Sequence, residues 1–241
     1  MKKGKVSRHT LYFHLLLFVS IFSSLLMAKA APVAAKDTAI VSLPQLTAEA
    51  AILIDGTTGH VLYSLNADRK MHPASTTKIL SALLGLELGN KKDVVHVSPN
   101  AAYKEGTTLY LYPGDELHLF DIIKGALINS GNDAATAIAE HLGGREDIFS
   151  SLMTYKAKTL GAYRSEFRNP HGLTDPEHLA TAYDLALIAR YALQNKDFRK
   201  IVSTKETTIF ETKSGKPIPL NNTNRLLNNC EYPVIGVKTG T

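Results

Sequence analysis

The chain is 241 residues long, carries a formal net charge of +5 and contains one cysteine. A single cysteine excludes an internal disulfide, so stability has to come from packing; Cys230 lies in a polar Asn-Asn-Cys-Glu stretch with nothing nearby to activate a thiol. The positive excess sits wholly in residues 1–30, which hold five basic groups and no acidic one, so the basic pI gives no support for nucleic-acid binding.

Residues 1–30 read as an export signal. Lys2, Lys3, Lys5 and Arg8 form a positive start, Leu11 to Met27 is an apolar run, and Ala28-Lys29-Ala30 fits a small-x-small cleavage site. The run is short for a membrane span, so a cleaved signal peptide is expected rather than an anchor. Residues 31–45, rich in Ala, Pro and Lys, read as a flexible leader, and the rest of the chain is long enough for one substantial core.

Ala50 to Asp55 and His60 to Leu65, around a Gly-bounded loop, predict a hairpin. From Ser75 to Leu88 apolar residues cover most of a helical surface, which predicts a buried helix ended by Gly89-Asn90. Asp93 to Val97 is a strand candidate. Thr107 to Tyr112, Pro113-Gly114 and Glu116 to Leu119 predict a strand, turn and strand. Helices are expected over 120–128, 132–142, 146–160 and 180–195, and strands over 207–212 and 234–238. Strands, a helical block, then strands predict an α+β fold: an antiparallel sheet formed by the terminal segments, with helices packed on it.

Three short motifs can carry chemistry. In Ser75-Thr76-Thr77-Lys78 the three-residue spacing puts both side chains on one face of a helix start. Lys78 could take the Ser75 proton only if its pKa fell from ~10.4 toward ~7, at a cost of roughly 4–5 kcal/mol, which burial and a second cation can impose. The plain reading is a capping serine and a solvated lysine. Ser130-Gly131-Asn132 lies between two apolar helices; its plain reading is a helix cap, and Ser64-Leu65-Asn66 and Ser98-Pro99-Asn100 show how cheap the pattern is. Lys238-Thr239-Gly240 ends an apolar run. The lysine could hold an anion, Thr239 adds a hydroxyl, and Gly240 leaves room for a substrate backbone, whereas the plain reading is an edge lysine that discourages aggregation.

Together, in this order, the three motifs match the set shared by penicillin-binding proteins and class A β-lactamases. From about Ala50 onward the chain resembles the low-molecular-mass penicillin-binding proteins that are serine D-alanyl-D-alanine carboxypeptidases. Pro73-Ala-Ser-Thr-Thr-Lys78, Ser130-Gly-Asn-Asp-Ala-Ala135, Asn169-Pro-His-Gly-Leu173 and Thr181-Ala-Tyr-Asp184 carry the likeness, with Ala51 to Tyr63 similar to the family's opening hairpin. The resemblance implies that residues 46–241 form a catalytic domain of the penicillin-binding protein/β-lactamase type. It implies acylation of Ser75 by the penultimate D-alanine of a peptidoglycan stem peptide, Lys78 as base, Ser130 passing a proton to the leaving D-alanine, and Asn132 orienting the substrate amide. Lys238 and Thr239 would hold the terminal carboxylate, with Gly240 beside it. Backbone N–H groups of Ser75 and Thr241 would form the oxyanion hole.

The same likeness implies an exported protein acting at the cell wall or outer face of the cytoplasmic membrane, acylation by β-lactam antibiotics, no nucleic-acid partner and no cofactor or metal. The histidines show no two-histidine-plus-carboxylate spacing, and His171 reads as structural. Family members continue past Lys-Thr-Gly with further strands and a helix. A chain ending at Thr241 is therefore expected to be a fragment, weakly stable and poorly active, with no membrane attachment left after signal cleavage. The rivals are a β-lactamase, for which Glu166 is the candidate deacylating carboxylate, and a non-catalytic penicillin- or cell-wall-binding protein.

Overall fold

Helix α1 (Lys78–Leu88) shows how this sequence folds, because every residue from Lys78 to Gly85 is buried. Ile79, Leu80, Leu83 and Leu84 supply apolar contact on several sides, while Ser81, Ala82 and Gly85 let neighbours approach. A side chain at Gly85 would stand 2.9 Å from Ile123 Cδ1. The computed structural model describes residues 46–241 apart from Cys230 and Thr241. The expected signal peptide (1–30), the leader (31–45), Cys230 and the proposed oxyanion donor Thr241 lie outside the described residues.

In chain order the elements are β1 (Ala51–Ile54), β2 (Val61–Leu65), a 3-10 turn (Ala74–Thr77), α1, β3 (Val94–His96), α2 (Pro99–Ala102) and β4 (Glu116–His118). They continue with α3 (Leu119–Ile128), α4 (Asn132–Gly143), α5 (Glu146–Thr159), α6 (Ala182–Ala192), α7 (Lys196–Val202), β5 (Glu206–Phe210), β6 (Pro217–Asn221) and α8 (Leu226–Asn229). Helices α3 to α7 surround α1. In α4 the residues Ala134, Ala135, Ala137 and Ala139 are fully buried; methyl-sized side chains there bring α4 close to α1 and α3. Among the described residues no helix is long and apolar enough to cross a membrane.

Among the described residues the strands pair as three two-stranded antiparallel sheets, β1 with β2, β3 with β4 and β5 with β6, rather than as one sheet of terminal segments. Side chains and loop backbone tie the strand pairs to the rest of the fold. Arg190 of α6 donates to the carbonyls of Gly56 and Thr57 at 3.0 and 2.6 Å, fastening the β1–β2 turn. Glu211, after β5, accepts the Glu116 N–H of β4 at 3.0 Å, and the Thr212 N–H donates to the Glu116 carbonyl.

Two expected strands do not form. Residues 107–112 are irregular because their polar backbone is claimed elsewhere. Asp133 Oδ2 accepts the N–H groups of Leu109 and Leu111 at 2.8 and 3.3 Å, and the Thr107 carbonyl accepts the Asn132 N–H at 2.7 Å. Strand β4 pairs with β3 instead. Residues 234–238 join no ladder among the described residues, where no strand runs alongside them. They are held by packing: a side chain at Gly236 would stand 2.7 Å from Val202 Cγ2.

Asp133 thus replaces strand pairing for 107–112, and its other oxygen accepts the Ala134 N–H at 2.8 Å. Asp133→Ala leaves those amides without their acceptor, and unfolding in urea is expected to show a loss on the order of 3 kcal/mol.

Candidate active site

The chain enters the site through a constrained backbone. Ala74 has φ 48°, unusual for a residue with a side chain, immediately before Ser75. The opposing surface is Gly172, where a Cβ would fall 1.9 Å from the Ala74 carbonyl oxygen and φ is 90°. Only glycine fits this approach. Ser75 then sits in the 3-10 turn that runs straight into α1, and Lys78 Nζ reaches 2.9 Å from Ser75 Oγ. The turn is capped by Pro73, not Ser75, and Lys78 is fully buried, so neither half of the capping-and-solvation reading applies.

Three oxygens surround the Lys78 amine: Ser75 Oγ at 2.9 Å, Asn132 Oδ1 at 2.6 Å and the His171 carbonyl at 2.8 Å. Asn132 is held by α4, whose first residue it is, and its Nδ2 donates to the Glu105 carbonyl at 2.7 Å. That bond fixes the amide so that its oxygen faces Lys78. Asn132 Oδ1 and the His171 carbonyl can only accept. A neutral amine has two hydrogens and one lone pair. With both hydrogens donated to those acceptors, the lone pair points at the one neighbour with a proton to give, the Ser75 hydroxyl.

Electrostatics favour the neutral form. Burial, then the charge of Lys238, lowers the Lys78 pKa to about 7, against the opposing charge of Asp133. Burial alone brings Lys238 down to about 8. Burial also raises the carboxyl pKa of Asp133, against the backbone amides it accepts.

The third motif lies against the first. Gly240 packs on the Ser75 turn, where a Cβ would be 3.3 Å from the Pro73 carbonyl and 3.4 Å from Thr76 Cγ2. Lys238 Nζ donates to the Thr239 carbonyl at 2.9 Å, and Thr239 Oγ1 lies 2.7 Å from Thr223 Oγ1. Ser130 is buried between α3 and α4 in a left-handed conformation, φ 65°. It does not cap α4; Gly131 holds that position, without a side-chain cap. Of the two look-alikes, Ser98 is an ordinary cap, its Oγ accepting the Ala101 N–H at 3.0 Å, and Ser64 lies within β2. A cavity of about 170 Å³ opens beside Ser75 and Asn132, lined also by His171, Gly172 and Thr107.

Sequence reasoning missed what holds this cluster. The Asn169–Leu173 turn is stapled to α1 by Ser81 Oγ, which donates to the Pro170 carbonyl at 2.6 Å, and by Lys78 itself. Asn169 closes the turn, accepting the Gly172 N–H at 2.7 Å and donating to the Leu173 carbonyl at 2.8 Å. The Asn-Pro-His-Gly-Leu run is visible as a family likeness, but its backbone role has no signal in side-chain chemistry.

A family model described as D-alanyl-D-alanine carboxypeptidase matches residues 37–241. The chain belongs to this family. It is 41% identical over 199 residues to D-alanyl-D-alanine carboxypeptidase DacF of Bacillus subtilis, covering 80% of this chain and 50% of that protein. To D-alanyl-D-alanine carboxypeptidase DacC of Escherichia coli it is 36% identical over 222 residues, covering 88% of this chain and 54% of that one. The chain therefore spans about half the length of these curated relatives. Among solved structures, the Streptomyces K15 DD-transpeptidase is similar at TM-score 0.77 and 29% identity, over 83% of this chain and 82% of that one. The fold is that of the penicillin-binding DD-peptidases, an α+β arrangement of helices and small antiparallel sheets.

In this carboxypeptidase-family chain, the Lys238 charge lowers the pKa of Lys78, so removing it has a defined sign. In Lys238→Gln the Lys78 titration midpoint is expected to rise above about 7, followed by NMR of 13C-labelled lysine.

Proposed function

We propose that this chain carries the catalytic machinery of a serine D-Ala-D-Ala carboxypeptidase, which removes the terminal D-alanine from peptidoglycan stem peptides through an acyl-enzyme on Ser75. The observation that supports it most is the Lys78 amine, with two acceptor-only partners and its third contact on Ser75 Oγ at 2.9 Å. Ser75 Oγ attacks the carbonyl carbon of the penultimate D-alanine as its proton passes to Lys78. The peptide C–N bond breaks, and the departing D-alanine amine takes a proton through Ser130. Water then cleaves the Ser75 ester and regenerates the hydroxyl. Backbone N–H groups of Ser75 and Thr241 stabilise the oxyanion. Asn132 orients the substrate amide, and Lys238 and Thr239 bind the terminal carboxylate beside Gly240.

A β-lactam presents its ring carbonyl to the same serine and leaves a penicilloyl ester. The β-lactamase alternative needs a carboxylate that activates water for fast deacylation. Its candidate, Glu166, is instead half-exposed beside Lys158 and Arg168, at 3.8 and 3.9 Å. We further propose export through residues 1–30, action at the cell wall, and a single catalytic unit over residues 46–241.

Mass spectrometry after penicillin treatment is expected to find the adduct on Ser75, lasting minutes or longer, with D-alanine released from a D-Ala-D-Ala peptide. The acylation rate should rise with pH through about 7, as Lys78 loses its proton. Lys78→Ala should lower it by ~10²–10⁴-fold, the range for loss of a general base. A penicilloyl adduct without D-alanine release would mark a non-catalytic binder. No adduct on Ser75 sinks the proposal.

A further inference from the structure

The His171 carbonyl and the Asn132 side-chain amide flank the Lys78 amine, and the supports of both lead away from it to a single carboxylate. His171, whose carbonyl accepts from Lys78, has its ring turned the other way. Its Nδ1 accepts the Leu173 N–H at 3.1 Å, which leaves the proton on Nε2, and Nε2 lies 3.3 Å from Glu146 Oε2. Glu105, whose carbonyl orients Asn132, is next to Lys104 in the chain. Lys104 Nζ donates to Glu146 Oε1 at 2.5 Å, and Asn100 Nδ2 donates to the same oxygen at 2.8 Å. Between the two arms, Gly106 lies so close to Asn132 that a Cβ there would meet Nδ2 at 2.8 Å. Glu146 opens α5 and makes no hydrogen bond to Ser75, Lys78 or Asn132 among the described residues.

We infer that Glu146 is a positioning residue for the acylation step: one oxygen secures the His171 turn and the other the Lys104–Gly106 segment, so that both acceptors of the Lys78 amine are set from one point. This inference rests on the reading of Lys78 as the base. A carboxylate suits the role, because its two oxygens serve donors from two segments at once. Burial works to raise the Glu146 pKa, but the His171, Lys104 and Asn100 donors and the Lys104 charge hold it at about 2, so the anion persists at working pH. His171 stays neutral, its pKa lowered mainly by burial.

The test is Glu146→Gln, which offers one acceptor oxygen in place of two and can satisfy one arm only. A control is Glu140→Gln. Glu140 accepts from Ser98 Oγ at 2.6 Å and Asn100 Nδ2 at 2.7 Å, in the same polar network, but reaches neither His171 nor Lys104. Three readouts are taken on the full chain: thermal stability, penicillin acylation per folded molecule against pH, and the Lys78 titration by 13C-lysine NMR. The charged and titratable groups around Lys78 are Lys238, Asp133 and His171, with Glu146 and Lys104 behind them. Loosened acceptors and a lost negative charge both disfavour the ammonium, so in Glu146→Gln the Lys78 midpoint moves to lower pH. The acylation plateau falls at least tenfold. In Glu140→Gln stability alone changes. A Glu146→Gln protein with an unmoved Lys78 midpoint, or with losses matched by the control, overturns the inference. Failure of the unsubstituted chain to acylate at Ser75 would count against the proposed function instead, and the NMR midpoint still decides the role of Glu146.

Discussion

A buried lysine amine with two fixed acceptors is the constraint on which the rest of this structure depends. In water an ammonium has no reason to release a proton near neutrality. Inside this protein, holding Lys78 at about 7 rather than 10.5 corresponds to roughly 5 kcal/mol taken from the charged form. Desolvation is the largest cause, and desolvation is a property of the packing. The amine must be enclosed without gaps and still be given partners, since an unpaired buried donor is costly in itself. Asn132 Oδ1 and the His171 carbonyl answer that need, and because neither can donate, they also decide where the lone pair goes.

The packing comes from choices along α1. A helix that is apolar on several sides has to lie inside a ring of others, and here α3 to α7 form the ring. Ser81 and Lys78, one turn apart on that helix, bind successive carbonyls of one turn, Pro170 and His171. The Ser75–Lys78 pair at the buried start of the helix is thus anchored to the core. The 3-10 geometry of residues 74–77 and the left-handed Ala74 are held in place by Gly172 packed on the Ala74 carbonyl.

Long periodic elements are legible from sequence because their apolar spacing is dictated by the packing they make. The helices at 78–88, 119–128, 132–143, 146–159 and 182–192 and the opening hairpin lie where periodicity puts them. Pattern misleads where a side chain or a turn overrides it. Thr107 to Tyr112 alternates like a strand, yet Asp133 takes its amides. The apolar pattern carries a helix as far as Asn195, whereas Asn195 caps a further helix, α7, by accepting the Asp197 and Phe198 N–H groups. Pro217-Ile-Pro-Leu-Asn carries two prolines that argue against a strand, but in a two-stranded hairpin their missing N–H groups cost little, and β6 forms. The site motifs are legible as a set. Their supports, Glu146, Lys104 and Gly106, are not, because nothing local marks a carboxylate that serves two segments distant from it in sequence.

Lys238 acts on Lys78 through its charge and is not among the amine's hydrogen-bond partners, and the difference bears on how the proposed chemistry is timed. Its segment joins no ladder among the described residues and is held by Val202, Thr223 and the Ser75 turn. Burial is the leading cause of the low Lys78 pKa and the Lys238 charge the second, so the helical core and Lys238 together bring the amine to about 7. A substrate carboxylate bound at Lys238 would cancel that second cation. The field opposing protonation of Lys78 then weakens, and the amine becomes a stronger proton acceptor once the ligand is seated. On the proposed reading, the packed core and the Lys238 charge together set the amine at about 7, and the lysine that binds the carboxylate adjusts its basicity as the site fills.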